Sequence, residues 1–187
     1  MTPTFRTSRP GSAADPSRPH IILVGLPGSG KSTVGRAVAS QLDRTFLDFD
    51  FEIERREGKT ISQIFGEQGE AYFRAKELAL TKELQQVGNM VLAPGGGWIT
   101  NPDVVGLLRP PGRLIYLRVQ PETALKRLGN RRSLRPLLSR PDPGSELERL
   151  YDQRRKAYET ADDVVDTELY SLQRVIEKVM ELASSVR

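Results

Sequence analysis

The stretch GLPGSGKST, Gly25–Thr33, follows the apolar run IILV (residues 21–24) and opens the segment KSTVGRAVASQL (residues 31–42). It fits G-x-x-x-x-G-K-[ST] in the context that pattern needs, a strand before it and a helix after it. Each part has a physical task. Gly28 and Gly30 can take positive φ, which turns backbone N–H groups inward as an anion nest. The helix that begins near Lys31 aims its positive end at the same point. The Lys31 ammonium reaches the β- and γ-phosphates of a nucleotide, and the Ser32 hydroxyl can ligate Mg²⁺. Residues Gly28, Ser29, Gly30, Lys31, Ser32 and Thr33 are therefore the candidate phosphate site for ATP.

Outward from this loop the chain alternates strand and helix. Val34, Val38 and Leu42 share one helix face. TFLDFD (45–50) reads as a second strand, and TISQIFGEQGEAYFRAKELALTKELQQ (60–86) as a helix broken near Gly66 and Gly69. Thr60 with Gln63 has the spacing of a capping box. MVLAP (90–94) is a third strand, Asn101–Pro102 an N-cap and first turn, and RLIYLRV (113–119) a fourth strand, after which Pro121 opens a helix. Ser145 and Glu148 fit the cap of the next helix. DDVVDT (162–167) is a fifth short strand, and an amphipathic helix runs through 169–183. This alternation predicts an α/β fold, a five-stranded parallel sheet covered on both faces, with ligands beyond the carboxyl ends of the strands. Residues 1–19 lack hydrophobic periodicity and read as a disordered arm, leaving 20–187 as a single domain.

Composition narrows the chemistry. The chain has no cysteine, which excludes disulfides, thiol catalysis and zinc-finger spacing. Its one histidine, His20, leaves no histidine-based triad or histidine-rich metal site. No apolar run approaches the roughly 20 residues of a membrane span. These features suit a cytoplasmic protein with no membrane partner, and a monomer is expected. The net charge is +4, and a basic balance raises the question of nucleic acid. The excess lies in the first residues and in an arginine-rich segment, Arg127, Arg131, Arg132, Arg135 and Arg140, without the interleaved aromatics that stack on bases. A lid over anionic ligands fits that placement better, so nucleic acid is not expected.

Asp48 and Asp50, two apart in an extended segment at the carboxyl end of the second strand, share a face beside the phosphate loop. One carboxylate can hold the water ligands of Mg²⁺, and the other can accept a proton from an attacking hydroxyl. Glu52 and Glu54 suit a helix first turn.

In this order and spacing, GLPGSGKST, LDFD (47–50), FRAKE (73–77), a triple glycine after a strand (95–97) and LRPLL (134–138) resemble the shikimate kinase family from about His20 to Thr167. The triple glycine and the RPLL segment separate it from gluconate and adenylate kinases. The resemblance implies a three-layer αβα P-loop kinase fold, with acceptor-binding helices at about 50–88 and a mobile lid at about 130–144. It implies ATP and shikimate as substrates with Mg²⁺, and transfer of the γ-phosphate to the shikimate 3-hydroxyl in chorismate biosynthesis. Residue by residue, it implies that Asp48 orients Mg²⁺ through water, Asp50 is the base, and Arg74 and Arg154 hold the carboxylate. Glu77 braces the site, Gly95, Gly96 and Gly97 lie under the ring, and Arg135 is the lid arginine. Arg127 or Arg131 serves the adenine end, near Asp166–Thr167. Guanidinium pairs are the physical choice for a lone carboxylate, and Arg74 with Glu77 at i, i+3 can pair.

Two positions depart from the family pattern. Trp98 stands where a small or aliphatic residue is usual, and Lys156 where proline is usual. The rival readings are a related kinase for another hydroxy acid such as gluconate, and a non-catalytic nucleotide-sensing domain. Intact Lys31, Asp48, Asp50 and Arg135 argue against the latter. Trp98 has two expected placements, packed against a helix or walling the acceptor.

Overall fold

A computed structural model describes residues 18–129 and 142–184. The expected arm at 1–19 falls almost wholly outside these residues, as does most of the expected lid with Arg131, Arg132, Arg135 and Arg140.

The most apolar segment becomes the centre of the sheet. Strand β1 (Ile21–Val24) is buried at all four positions and lies between β3 (Met90–Ala93) and β4 (Arg113–Arg118), with β2 (Thr45–Asp48) and β5 (Asp163–Asp166) at the edges. Every pairing is parallel, and the order is β2-β3-β1-β4-β5. Side chains alternate across β1, as a pleated strand requires. Ile22 and Val24 face one core, with Leu92, Leu114 and Tyr116; Ile21 and Leu23 face another, with Val91, Ile115 and Leu117. The first core is covered by α2 (Phe49–Glu57), α3 (Ile61–Leu84), α4 (Pro102–Gly106), α5 (Pro121–Leu128) and α6 (Pro143–Tyr158). The second is covered by α1 (Lys31–Gln41) and α7 (Leu172–Ser184) through Val34, Val38, Val175, Ile176 and Val179. The three-layer expectation is met. Among the described residues no helix is long and apolar enough to cross a membrane.

Local chemistry explains most boundaries. Thr60 and Gln63 form the expected capping box at the start of α3. Within α3 only Gly69 leaves helical geometry (φ 81°, ψ 170°), whereas Gly66 stays helical. Asn101 caps α4 as expected. The start of α6 differs from expectation. Asp142, not Ser145, is the N-cap, accepting from the Gly144 and Ser145 amides and the Ser145 hydroxyl. A carboxylate satisfies several first-turn donors at once and also suits the dipole. Helix α6 thus begins at Pro143, inside the span expected for the lid.

His20 locks the end of the fold remote from the strand carboxyl ends. It is buried, its Nε2 lies 3.1 Å from the Leu84 carbonyl, and Nδ1 faces the Met90 amide at 3.4 Å. This pattern requires a neutral ring, with Nε2–H donating and Nδ1 accepting. Burial lowers its pKa below the ordinary 6.5. The unfolded chain therefore binds the proton more readily. The contribution is fully present above about pH 6.5 and is lost as pH falls through the lowered value, with a slope of at most about 1.4 kcal/mol per unit. Thermal unfolding of wild type and His20→Gln between pH 5 and 7 should show the steeper acid loss in wild type; equal slopes would refute the assignment.

Candidate active site

All the loops that follow the strands emerge on one edge of the sheet, and the site is built from them. After β1, residues 25–30 wrap into the N-terminus of α1. Gly28 has φ 86°, and a Cβ there would strike the Ala124 carbonyl, so the loop at this point admits only glycine. The Lys31 ammonium donates to the Gly25 and Leu26 carbonyls at 2.8 and 3.0 Å, which keeps its charge at the mouth of the nest.

Strand β2 ends at Asp48, one residue pair level with Ala93 of β3. Here the expectation for the acidic pair is corrected in detail. Asp50 is not in the strand. Asp48 is the N-cap of α2, with its side chain accepting from the Phe51 amide at 3.4 Å, and Asp50 is in the first turn of that helix. The two carboxylates are still brought together at the cavity, now by a cap and a helical turn instead of a pleat. The Ser32 hydroxyl donates to Asp48 Oδ2 at 2.6 Å, joining the phosphate loop to β2. Among the described residues no group of three or more His, Asp or Glu side chains gathers as a metal cage. A hydroxyl and a neighbouring carboxylate, completed by water and nucleotide phosphates, are nevertheless the hard oxygen donors that suit Mg²⁺.

Opposite the loop, α3 presents Arg74 and Glu77. Arg74 is clamped from both sides, by Glu70 at 2.7 Å and Glu77 at 2.5 Å. Glu70, four residues earlier on the same face, was not singled out from the sequence, although an i, i+4 acid is the signal that reveals it. Glu77 is 2 % exposed, and its Oε1 has no hydrogen-bond partner among the described residues. Burial pushes its carboxyl up to about 7, opposed by the Arg74 guanidinium.

The triple glycine after β3 runs between these groups. A Cβ on Gly95 would sit 2.7 Å from Glu77 Oε1 and 3.2 Å from Asp50 Oδ1. On Gly96 it would lie 3.1 Å from Arg154 Nη1, and on Gly97 2.5 Å from Arg74 Nη2. The bare backbone is what lets two acids and two arginines converge. Arg154 is buried on α6. One turn further along α6, Tyr158 donates its hydroxyl to the Gly96 carbonyl at 2.8 Å. Tyr158 is not among the residues expected from the sequence, and its position one turn from Arg154 is the signal that reveals it. Nothing in the structure explains Lys156 in place of the family's proline.

At the other end, Arg127 donates to the hydroxyl and carbonyl of Thr167 at 2.7 Å each, so the two segments expected near the base meet. The phosphate loop, Asp48, Asp50, Arg74, Gly95–Gly97, Arg127, Arg154 and Thr167 all line one cavity of about 1100 Å³. Trp98 does not line it. The side chain is 2 % exposed and packed edge-on against Phe49, which decides between its two expected placements.

A phosphate loop at the centre of a parallel sheet, with acids beside it and arginines across a shared cavity, defines a P-loop kinase of small molecules. The comparisons with known proteins narrow the class. The family model described as shikimate kinase matches residues 27–184. A shikimate kinase of Burkholderia pseudomallei is 45% identical over 165 residues, covering 87% of this chain and 89% of the relative. One from Pelotomaculum thermopropionicum is 40% identical over 161 residues, covering 86% and 93%. The structure of shikimate kinase from Acinetobacter baumannii in complex with shikimate superposes with a TM-score of 0.84 at 39% identity, covering 90% of this chain and 94% of that one. The chain belongs to the shikimate kinase family.

Proposed function

We propose that the protein transfers the γ-phosphate of ATP to the 3-hydroxyl of shikimate. The observation that carries this is the sharing of one cavity by a phosphate loop, an acid pair and two arginines set against a glycine floor. In this reading the loop from Gly28 to Thr33 and Lys31 hold the phosphates. The Ser32 hydroxyl and Asp48 are the residues that would hold Mg²⁺, which neutralises phosphate charge when bound. Arg74 and Arg154 take the acceptor carboxylate between them. Glu70 and Glu77 fix the first of these guanidinium groups, and the helix α6 backbone aims the second. Asp50, beside Gly95, receives the hydroxyl hydrogen bond and accepts the proton as the oxygen attacks phosphorus. Arg127 and Thr167 border the nucleotide base. Arg135 is assigned to closure over both ligands on the strength of the family resemblance alone.

Purified protein with ATP, Mg²⁺ and shikimate should release ADP in a coupled assay, and should release almost none when shikimate is omitted. Shikimate-independent turnover, or turnover with gluconate in its place, would reject the reading.

A further inference from the structure

Trp98, the only tryptophan in the chain, sits behind the glycine floor and takes no part in lining the cavity. Its indole N–H donates to the Thr81 hydroxyl at 3.0 Å. Thr81 is fully buried and donates in turn to the Glu77 carbonyl at 2.7 Å, one turn back along α3. The ring meets Phe49 with centroids 6.3 Å apart and planes at 72°. Phe49 is the residue between Asp48 and Asp50. Trp98 thus joins the three segments that bring acceptor groups to the cavity: the floor that runs directly into it, the helix carrying Arg74 and Glu77, and the helix start carrying the two aspartates.

The chemistry of the contact makes it specific. A buried indole N–H needs an acceptor, and a buried hydroxyl needs a defined donor and acceptor. Thr81 meets both needs with one oxygen, so the indole orientation and the rotation of α3 determine each other. The clearance they maintain is small, because Arg74 Nη2 approaches the Gly97 backbone so closely that a Cβ there would lie 2.5 Å away. A slide of α3 by a few tenths of an ångström would carry Arg74 off or into the floor.

We propose that Trp98 and Thr81 are positioning residues for the acceptor. Through the relay from indole to hydroxyl to the Glu77 carbonyl they hold α3 at the separation from the glycine floor at which Arg74, braced by Glu77, meets the substrate. This rests on the reading that this end of the cavity takes shikimate. It makes the relay act on acceptor binding and leaves the phosphate loop, on the far side, unaffected.

The test uses Thr81→Val, which keeps the shape and removes the hydroxyl, Thr81→Ser, which restores it, and Trp98→Phe, which keeps a ring and removes the N–H. Thr81→Val and Trp98→Phe should each raise KM for shikimate by about tenfold, as expected for a sub-ångström displacement of a binding group. KM for ATP should stay within about twofold, and Thr81→Ser should return KM for shikimate close to wild type. Because Trp98 is the lone tryptophan, emission excited at the red edge, where tyrosine does not absorb, reports on this point alone. Shikimate should change it in wild type, and the titration midpoint should move upward in Thr81→Val in step with KM. A lowered unfolding temperature with unchanged KM and emission midpoint would show plain core packing and overturn the proposal, as would equal increases in both KM values. Wild-type turnover with unaffected variants strikes this inference alone, whereas absence of shikimate turnover in wild type removes the acceptor and both readings with it.

Discussion

Replacing Asp50 by Asn should reduce kcat for shikimate phosphorylation by about 10²- to 10⁴-fold, the usual contribution of a positioned general base, while nucleotide binding measured by calorimetry is unchanged. The substitution preserves size and the capacity to hydrogen-bond. It removes basicity at a point beside Gly95 where Glu77 also turns an oxygen. The fold should survive, since Asp50 stands in the first turn of α2, where the carboxylate–dipole attraction that Asn would forgo is modest, about 0.3–1 kcal/mol. A variant that retains more than about a tenth of wild-type kcat would show that another group takes the proton. Lost nucleotide binding would place Asp50 in the phosphate site instead.

Lys31→Met is expected to lower kcat by about 10²- to 10³-fold, the scale on which a single charge stabilises a developing anion in a preorganised site. The unbranched side chain keeps the stem and drops the ammonium. In the structure that ammonium bonds the carbonyls of Gly25 and Leu26, so the loop also loses two charge-assisted contacts, and a small drop in unfolding temperature should accompany the loss of rate. Stopped-flow or steady-state ADP release measures the rate, and circular dichroism checks that the helix content remains. A variant within about tenfold of wild type would remove Lys31 from the transition state.

How much of this was legible in the sequence depends on the range over which each interaction acts. The phosphate loop was fully legible because its chemistry is local: three glycines, a lysine and a hydroxyl within nine residues, between a strand and a helix. The strand–helix alternation was legible for the same reason, through periodicities that act over a few residues. The Asp50 error was also local. The alternation of Phe49, Asp50 and Phe51 reads equally as pleat or helix start, and the N-cap preference of Asp48, which decides it, competes with that pattern. The clamps were only partly legible. Arg74 with Glu77 lies at helical spacing and was found, but Glu70 was passed over. Tyr158 to Gly96 and Trp98 to Thr81 join different elements, and nothing in the spacing of the chain says which elements will touch. The glycine floor was recognised as a floor, yet its main geometric duty, room for the arginines and acids themselves, emerges only when α3 and α6 are set against it.

The strand order carries a consequence for the newborn chain. Ile21 of β1 takes its neighbours from Val91 on one side and Arg113 on the other. This apolar segment therefore waits for its second neighbour until about 90 further residues have been added. Long-range parallel pairing of this kind is intrinsically slow and leaves sticky surface uncovered meanwhile. The same segment that supports the phosphate loop in the finished enzyme is thus a point at which the growing chain is open to aggregation.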